Sequence, residues 1–290
     1  MSVAVPQAEV EAAEEALLDA GALSVTLLDT DDVPVLEPAP GETPLWPSVR
    51  VVGLFAADQD PAAVMGCLHA ALPVHLLDSF DWQELPEQDW TRKWMDEFKP
   101  QRFGARLWIV PSWSTPPDPS AVNLLLDPGL AFGTGNHPTT ALCLSWLESG
   151  IAGGERVLDY GCGSGILAIA ALRLGADRAR GVDIDPQALT ATTDNAALNG
   201  IEAGRLIATL PEGLAADEGF DIVVANILAN PLIELADTLA AHLLPGGRFA
   251  LSGVLNEQAG QVAAAYRAAG LDIGGIEHSE DWALIHGRRT

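Results

Sequence analysis

Apolar and polar positions change their period twice along this chain. Over residues 8–20 acids alternate with Ala, Val and Leu at helical spacing, with Gly21 at the C-terminal stop. A strand-like run follows at 22–28, and a Pro/Gly-rich polar stretch at 29–47 reads as loop. Then come a strand (49–55), a helix opening after Asp60 (61–71) and a strand (73–77). With a short strand at the extreme N-terminus, this approximates β-α-β-β-α-β, the ferredoxin-like arrangement. From about residue 122 onward, apolar runs at 156–160, 178–184, 206–209, 221–227 and 248–255 alternate with helical patterns at 166–174, 186–199, 231–243 and 257–269. That alternation predicts a doubly wound α/β sheet, closed by an antiparallel hairpin over 273–285. Right-handed crossovers place any ligand along the edge where the parallel strands end.

Between these halves lies a tryptophan-rich zone, 81–113, holding five of the eight tryptophans. A helix is predicted over 87–98, with Trp90, Trp94 and Phe98 on one face. The organisation expected is a ferredoxin-like recognition domain (1–80), a linker with this helix (81–120) and a catalytic domain (121–290).

The chemistry concentrates at three strand ends. The first is Asp159-Tyr160-Gly161-Cys162-Gly163-Ser164-Gly165, where alternate glycines let bare backbone approach a ligand. Gly161 and Gly163 are assigned to cofactor binding, with turn amides facing a carboxylate and turn carbonyls an ammonium. Asp159 adds negative charge, suited to a zwitterion beside a sulfonium and poorly suited to pyrophosphate. The second is Asp183, 22 residues beyond Gly161, an acceptor for ribose hydroxyls. The third is Asn226, whose amide is placed to accept from an incoming amine and is the candidate catalytic residue. Ahead of the sheet, the glycine-rich loop 127–140 suits a flap, with Phe132 as a cover and Thr140 as a hydrogen-bonding group for the ligand's methionyl end. His137 invites a general-base reading, but no carboxylate is placed by sequence to orient it, so a loop-fixing role is expected. Together these features indicate S-adenosylmethionine rather than a dinucleotide.

Composition narrows the field. The net charge is −25, with two lysines, Lys93 and Lys99. Such a field repels nucleic acid and favours a basic partner, although solubility or salt adaptation explains it equally. Cys67, Cys143 and Cys162 form no metal-ligand or disulfide spacing, so no metal is expected. No apolar run approaches a membrane span and no basic signal region opens the chain, so a cytoplasmic protein without membrane contact is expected.

Segments 127–140, 159–175, 181–188 and 224–232, together with 89–98 and 102–104, resemble the bacterial methyltransferases that modify protein eleven of the large ribosomal subunit. The likeness runs from Trp82 to the end; the first 80 residues match in length and pattern. The resemblance implies a ferredoxin-like substrate-recognition domain, a linker and a Rossmann-like class I methyltransferase domain with a seven-stranded mixed sheet. It implies methylation of the α-amine and lysine side chains of that basic ribosomal protein by a monomer, without direct nucleic-acid contact. Carried over by motif, cofactor contacts fall on Thr140, Gly161, Asp183 and Asn226. Competing readings are a methyltransferase for another protein, for example at a glutamine side chain; an NAD(P)-linked oxidoreductase; and a noncatalytic cofactor-binding module.

Overall fold

The computed structural model describes residues 1–30, 45–77, 79–85, 98–127 and 137–290. The chain divides into two compact units, Met1–Trp90 and Thr91–Thr290. Among the described residues no helix is long and apolar enough to cross a membrane, and no group of His, Cys, Asp and Glu is arranged to hold a metal ion.

In the first unit, strand β1 (Ser2–Pro6) leads through a single 3-10 turn into helix α1 (Val10–Asp19). Strands β2 (Ser24–Asp29) and β3 (Ser48–Leu54) follow, then α2 (Pro61–Ala71) and α3 (Val74–Leu77). The antiparallel sheet has the order β1-β3-β2. Val10, Ala13 and Leu17 recur at helical spacing on α1, and all three are buried against Val3, Val5, Val49 and Val51 of the sheet. Gly21, at φ 98°, ends α1: its amide donates to Leu18 O and that of Ala22 to Leu17 O, so two terminal carbonyls are satisfied. Asp60 opens α2 by accepting from the amide of Ala62 at 3.0 Å, with Pro61 in the first turn.

The strand expected at 73–77 is instead the short helix α3. Pro73 suits the entry to a helix, and a five-residue apolar run carries no period that separates strand from helix. As a helix it turns both Leu76 and Leu77 into the core. The edge of β1 that a fourth strand would occupy is met, among the described residues, by Asp81, which exchanges two 2.8 Å backbone hydrogen bonds with Ser2. The helix expected over 87–98 falls on positions 87–97, outside the described residues.

The second unit opens with a small sheet where the sequence pattern suggested a linker. Strands β4 (Gln101–Phe103), β5 (Leu107–Val110) and β6 (Val122–Leu125) pair in the order β4-β5-β6. Phe103, Leu107, Ile109 and Leu124 are buried in the same core as helix α4 (Pro138–Gly150). A buried acid fixes the β4–β5 turn: Glu148 of α4 accepts from the backbone amide and Nε of Arg106 at 3.2 and 3.3 Å.

The main domain continues as β7 (Arg156–Tyr160), α5 (Ile166–Leu174), β8 (Arg178–Val182), α6 (Pro186–Leu198) and β9 (Leu206–Thr209). Then come β10 (Phe220–Asn226), α7 (Ala229–Glu234), α8 (Ala236–His242), β11 (Leu243–Leu255), α9 (Ala259–Ala268), β12 (Asp272–Ser279) and β13 (Trp282–Arg288). The seven strands take the order β12-β13-β11-β10-β7-β8-β9, with β13 antiparallel to both neighbours. The helix expected at 231–243 is split in two at Leu235, and β11 starts earlier than the expected 248.

The chain leaves β7 toward β8 and β9, then returns to place β10 on the other side of β7. Strand order therefore reverses between β7 and β10. A crevice opens at such a point because the two crossovers lie on opposite faces.

Candidate functional site

A cleft of about 670 Å³ occupies that crevice, at the carboxyl ends of β7, β8 and β10. Its lining includes all five residues assigned from sequence: Thr140, Gly161, Gly163, Asp183 and Asn226. His137, Tyr160, Ile184, Leu228, Glu234 and Trp282 also face it.

The glycine turn works differently from the expectation. Four of its amides are taken up within the protein. Those of Gly161 and Cys162 donate to Val182 O at 2.7 and 3.0 Å, that of Gly163 to Asp183 Oδ2 at 2.9 Å, and that of Gly165 to Cys162 O at 2.7 Å. The glycines are needed for shape. Gly161 has φ 78°, and a Cβ there would lie 2.1 Å from Ile227 Cγ2, so β10 closes directly on the turn.

Asp183 is held by two backbone donors, the amide of Gly163 on Oδ2 and that of Asp185 on Oδ1 at 3.0 Å. The carboxylate stands on the cleft wall in one orientation with lone pairs remaining. Ile184 beside it is 82% exposed and Leu228 across the cleft is 53% exposed, leaving two apolar side chains uncovered at one mouth.

Asn226 ends β10. Its Nδ2 donates to Oγ1 of Thr140 at 3.1 Å, and Thr140 is fully buried in the first turn of α4. That bond turns the amide so that Oδ1 is the remaining acceptor. Oδ1 is buried without a hydrogen-bond partner. A buried carbonyl oxygen left unpaired costs about 1–3 kcal/mol, a cost that a donor on a bound molecule relieves.

Asp159 does not face the cleft. It is fully buried beneath the turn, where Oδ2 accepts from the amide of Ala168 at 3.0 Å and fixes the start of α5. Burial pushes its carboxyl up to about 7, the Ala168 hydrogen bond opposes this, and the charge of Asp183 adds to it. Burial also raises the neighbouring Cys162 thiol to about 12, which leaves it un-ionised and unsuited to nucleophilic chemistry.

His137 is the N-cap of α4. Its side chain accepts from the amide of Thr139, and Nδ1 lies 2.8 Å from Thr139 Oγ1. Burial lowers its pKa, opposed by Glu280. The ring meets Trp282 edge-on at 4.8 Å. The expected loop-fixing role thus matches the geometry, and its proton-accepting nitrogen is already engaged.

Sequence reasoning missed Trp282 and Glu234. Trp282 is the first residue of β13, an antiparallel strand whose register cannot be read from local period, and Glu234 lies in a helix that was predicted without its break. The flap residue Phe132 lies outside the described residues.

The family model described as Ribosomal protein L11 methyltransferase matches residues 1–290. The Ribosomal protein L11 methyltransferase of Pseudomonas aeruginosa (strain LESB58) is 54% identical over 287 residues, 99% of this chain and 97% of that protein. The protein of that name from Azotobacter vinelandii is 54% identical over 282 residues, 96% of this chain and 94% of its own length. Among solved structures, the ribosomal protein L11 methylase of Lactobacillus delbrueckii subsp. bulgaricus is 35% identical with a TM-score of 0.61. It covers 67% of this chain and 100% of its own.

Proposed function

The chain belongs to the ribosomal protein L11 methyltransferase family, S-adenosylmethionine-dependent enzymes, and we propose that it methylates the N-terminal α-amine and lysine side chains of that ribosomal protein. The cleft between β7 and β10 is the active site in this reading. The observation that carries it is the orphaned, buried Oδ1 of Asn226, aimed by Thr140.

The residues present fit the donor. Asp183 would hold the ribose hydroxyls, Ile184 and Leu228 would flank the base, and the Gly161 turn would lie against the methionyl portion. Bound there, S-adenosylmethionine supplies a methyl group on a positively charged sulfur. The chain's own task is to deliver a neutral amine to it in line. At pH 7 a lysine with an ordinary pKa near 10.4 loses its proton at a cost of about 4.6 kcal/mol. Neither His137 nor Cys162 is suited to take that proton, so it leaves to water, and lowered amine basicity in a desolvated cleft provides the drive. Asn226 Oδ1 then accepts one N–H of the amine and points its lone pair at the reacting carbon. Positioning of this kind supplies most of the rate.

The unit Met1–Trp90 is the substrate-recognition domain in this reading, and Thr91–Thr290 carries the chemistry. Support for the first assignment is the antiparallel β1-β3-β2 sheet covered by helices, in which no catalytic constellation stands among the described residues.

The test is intact-mass analysis of isolated ribosomal protein L11 after incubation with this enzyme and S-adenosylmethionine, followed by peptide mapping. Methyl increments on the N-terminal residue and on lysines are expected; increments on glutamine would overturn the amine assignment. Asn226→Ala should lower kcat roughly 10²-fold while the cofactor Kd changes far less. Unchanged kcat would remove Asn226 from the reaction.

A further inference from the structure

A second cavity, of about 610 Å³, lies at the other end of the sheet, at the base of the C-terminal hairpin. Arg248, Arg267, Arg288 and His286 line it, against one acid, Asp272. The whole chain has fifteen Lys and Arg against forty Asp and Glu, so a cavity with three arginines runs against the composition.

The sheet register forces two of the arginines together, and Arg267 reaches the cavity from α9. Arg248 of β11 pairs directly with Arg288 of β13, and opposed residues in an antiparallel pair project from the same face. Like charges so placed repel unless something neutralises them. Asp272 sits opposite Arg288 on the other side and meets part of that charge. Arg248 is fixed: Nη2 donates to Gly150 O at 2.8 Å and its guanidinium lies 5.9 Å from the ring centre of Trp146. Arg267 and Arg288 are exposed, and among the described residues neither is in an ion pair.

The backbone at the same place is bare as well. Strand β12 is the outer edge of the sheet and carries two consecutive glycines, Gly274 and Gly275, at a register shift. Glycine inside a strand weakens it and marks positions where another group must approach the backbone. A Cβ on Gly275 would come within 2.8 Å of His286 Nε2, so part of this bareness seats the His286 ring. That ring nitrogen lies 3.6 Å from Glu277.

We propose that this cavity binds a small phosphate-class oxyanion, held by the guanidinium groups of Arg267 and Arg288 beside the fixed Arg248. Guanidinium forks match the geometry of phosphate oxygens. A long polyanion is disfavoured because the −25 field acts on every charge it carries, whereas a single bound group feels chiefly the local cluster within a Debye length of about 8 Å.

The experiment is calorimetric titration of the full chain with inorganic phosphate at low ionic strength, with chloride as the control salt and a single-stranded RNA oligonucleotide as a separate arm. Saturable phosphate binding with a Kd of roughly millimolar is expected, weakened roughly tenfold or more in Arg267→Gln/Arg288→Gln. Methyl transfer by that variant should match the parent, which also reports that it is folded. Absence of saturable phosphate binding, binding that survives the double substitution, or RNA binding that phosphate does not displace would each overturn the proposal.

Discussion

The carboxyl of Asp159 has no solvent exposure and a single hydrogen bond, so its protonation state is a stability term. In the unfolded chain it titrates near 3.9, and burial raises it to about 7 in the native state. The folded form therefore binds its proton more tightly. The associated stability is fully present below about pH 4, is lost as pH rises through the native pKa, and is flat above it. At 1.36 kcal/mol per unit, the span is on the order of 4 kcal/mol. Asp159→Asn keeps an acceptor for the Ala168 amide and removes the titration. The variant should gain stability relative to the parent between pH 5 and pH 8, read by urea denaturation at both values. Parallel pH profiles would show that Asp159 is ionised throughout. The same residue shows what a motif conceals. An acid two places before a glycine turn suggests a ligand contact, yet its side chain points down into the helix start because strand residues alternate between faces.

Among the elements, β6 shows how a strand edge is completed without another strand. Asn199, after the last turn of α6, donates from Nδ2 to Leu125 O and accepts on Oδ1 from the Leu125 amide, both at 2.7 Å. The side-chain amide thus substitutes for a neighbouring backbone. Asn199→Ala would orphan a donor and an acceptor in a mostly buried site, each costing about 1–3 kcal/mol, so a loss of roughly 2–4 kcal/mol is expected by denaturant titration. A loss below about 1 kcal/mol would mean that water replaces the amide. This pairing joins positions 74 residues apart, and nothing in the local pattern announces it. By contrast β7, α5 and β9 were legible to the residue, because each is one step in a sustained alternation of apolar runs and helical patterns. Four of the cleft residues, Gly161, Gly163, Asp183 and Asn226, stand at or just past the ends of such strands, and Thr140 stands where a glycine-rich loop enters a helix. The strand wrongly expected at 73–77 and the overlooked β4 and β5 are short pieces whose conformation is decided by the core they pack into. The spent amides of the Gly161 turn were hidden too, since three of the four acceptors lie on Val182 and Asp183, at and just past the end of β8.

Over the whole molecule, charge is sorted along the strand direction in the unit Thr91–Thr290. Residues 156–290 contain nine arginines and no lysine. Arg156 and Arg178 begin β7 and β8, Arg288 ends the antiparallel β13, and Arg173 and Arg267 lie in the last turns of α5 and α9. All of these mark the end of the sheet opposite the cleft. The arrangement has a local cause: helices run back against the strands, so their carbonyl-rich C-termini collect there and attract cations. Arg205 donates to Ala176 O at 2.7 Å and Arg173 to Asn199 O at 3.5 Å in this way. The consequence appears at the other end. Among the described residues no lysine or arginine lines the cleft, while Asp183 and Glu234 do. A basic protein approaching such an edge is drawn in by the local acids and by the −25 background together, and steering of this kind accelerates encounter by 10-fold or more at low salt. Salt should suppress it. With ribosomal protein L11 as substrate, kcat/KM should fall roughly tenfold or more as NaCl rises from about 50 to 500 mM, whereas kcat at saturation stays constant. The cofactor Kd, measured in parallel, should move little, because a zwitterion with one extra charge meets the field over a short range. A flat kcat/KM would mean that the acidic surface serves solubility and takes no part in bringing substrate to Asn226.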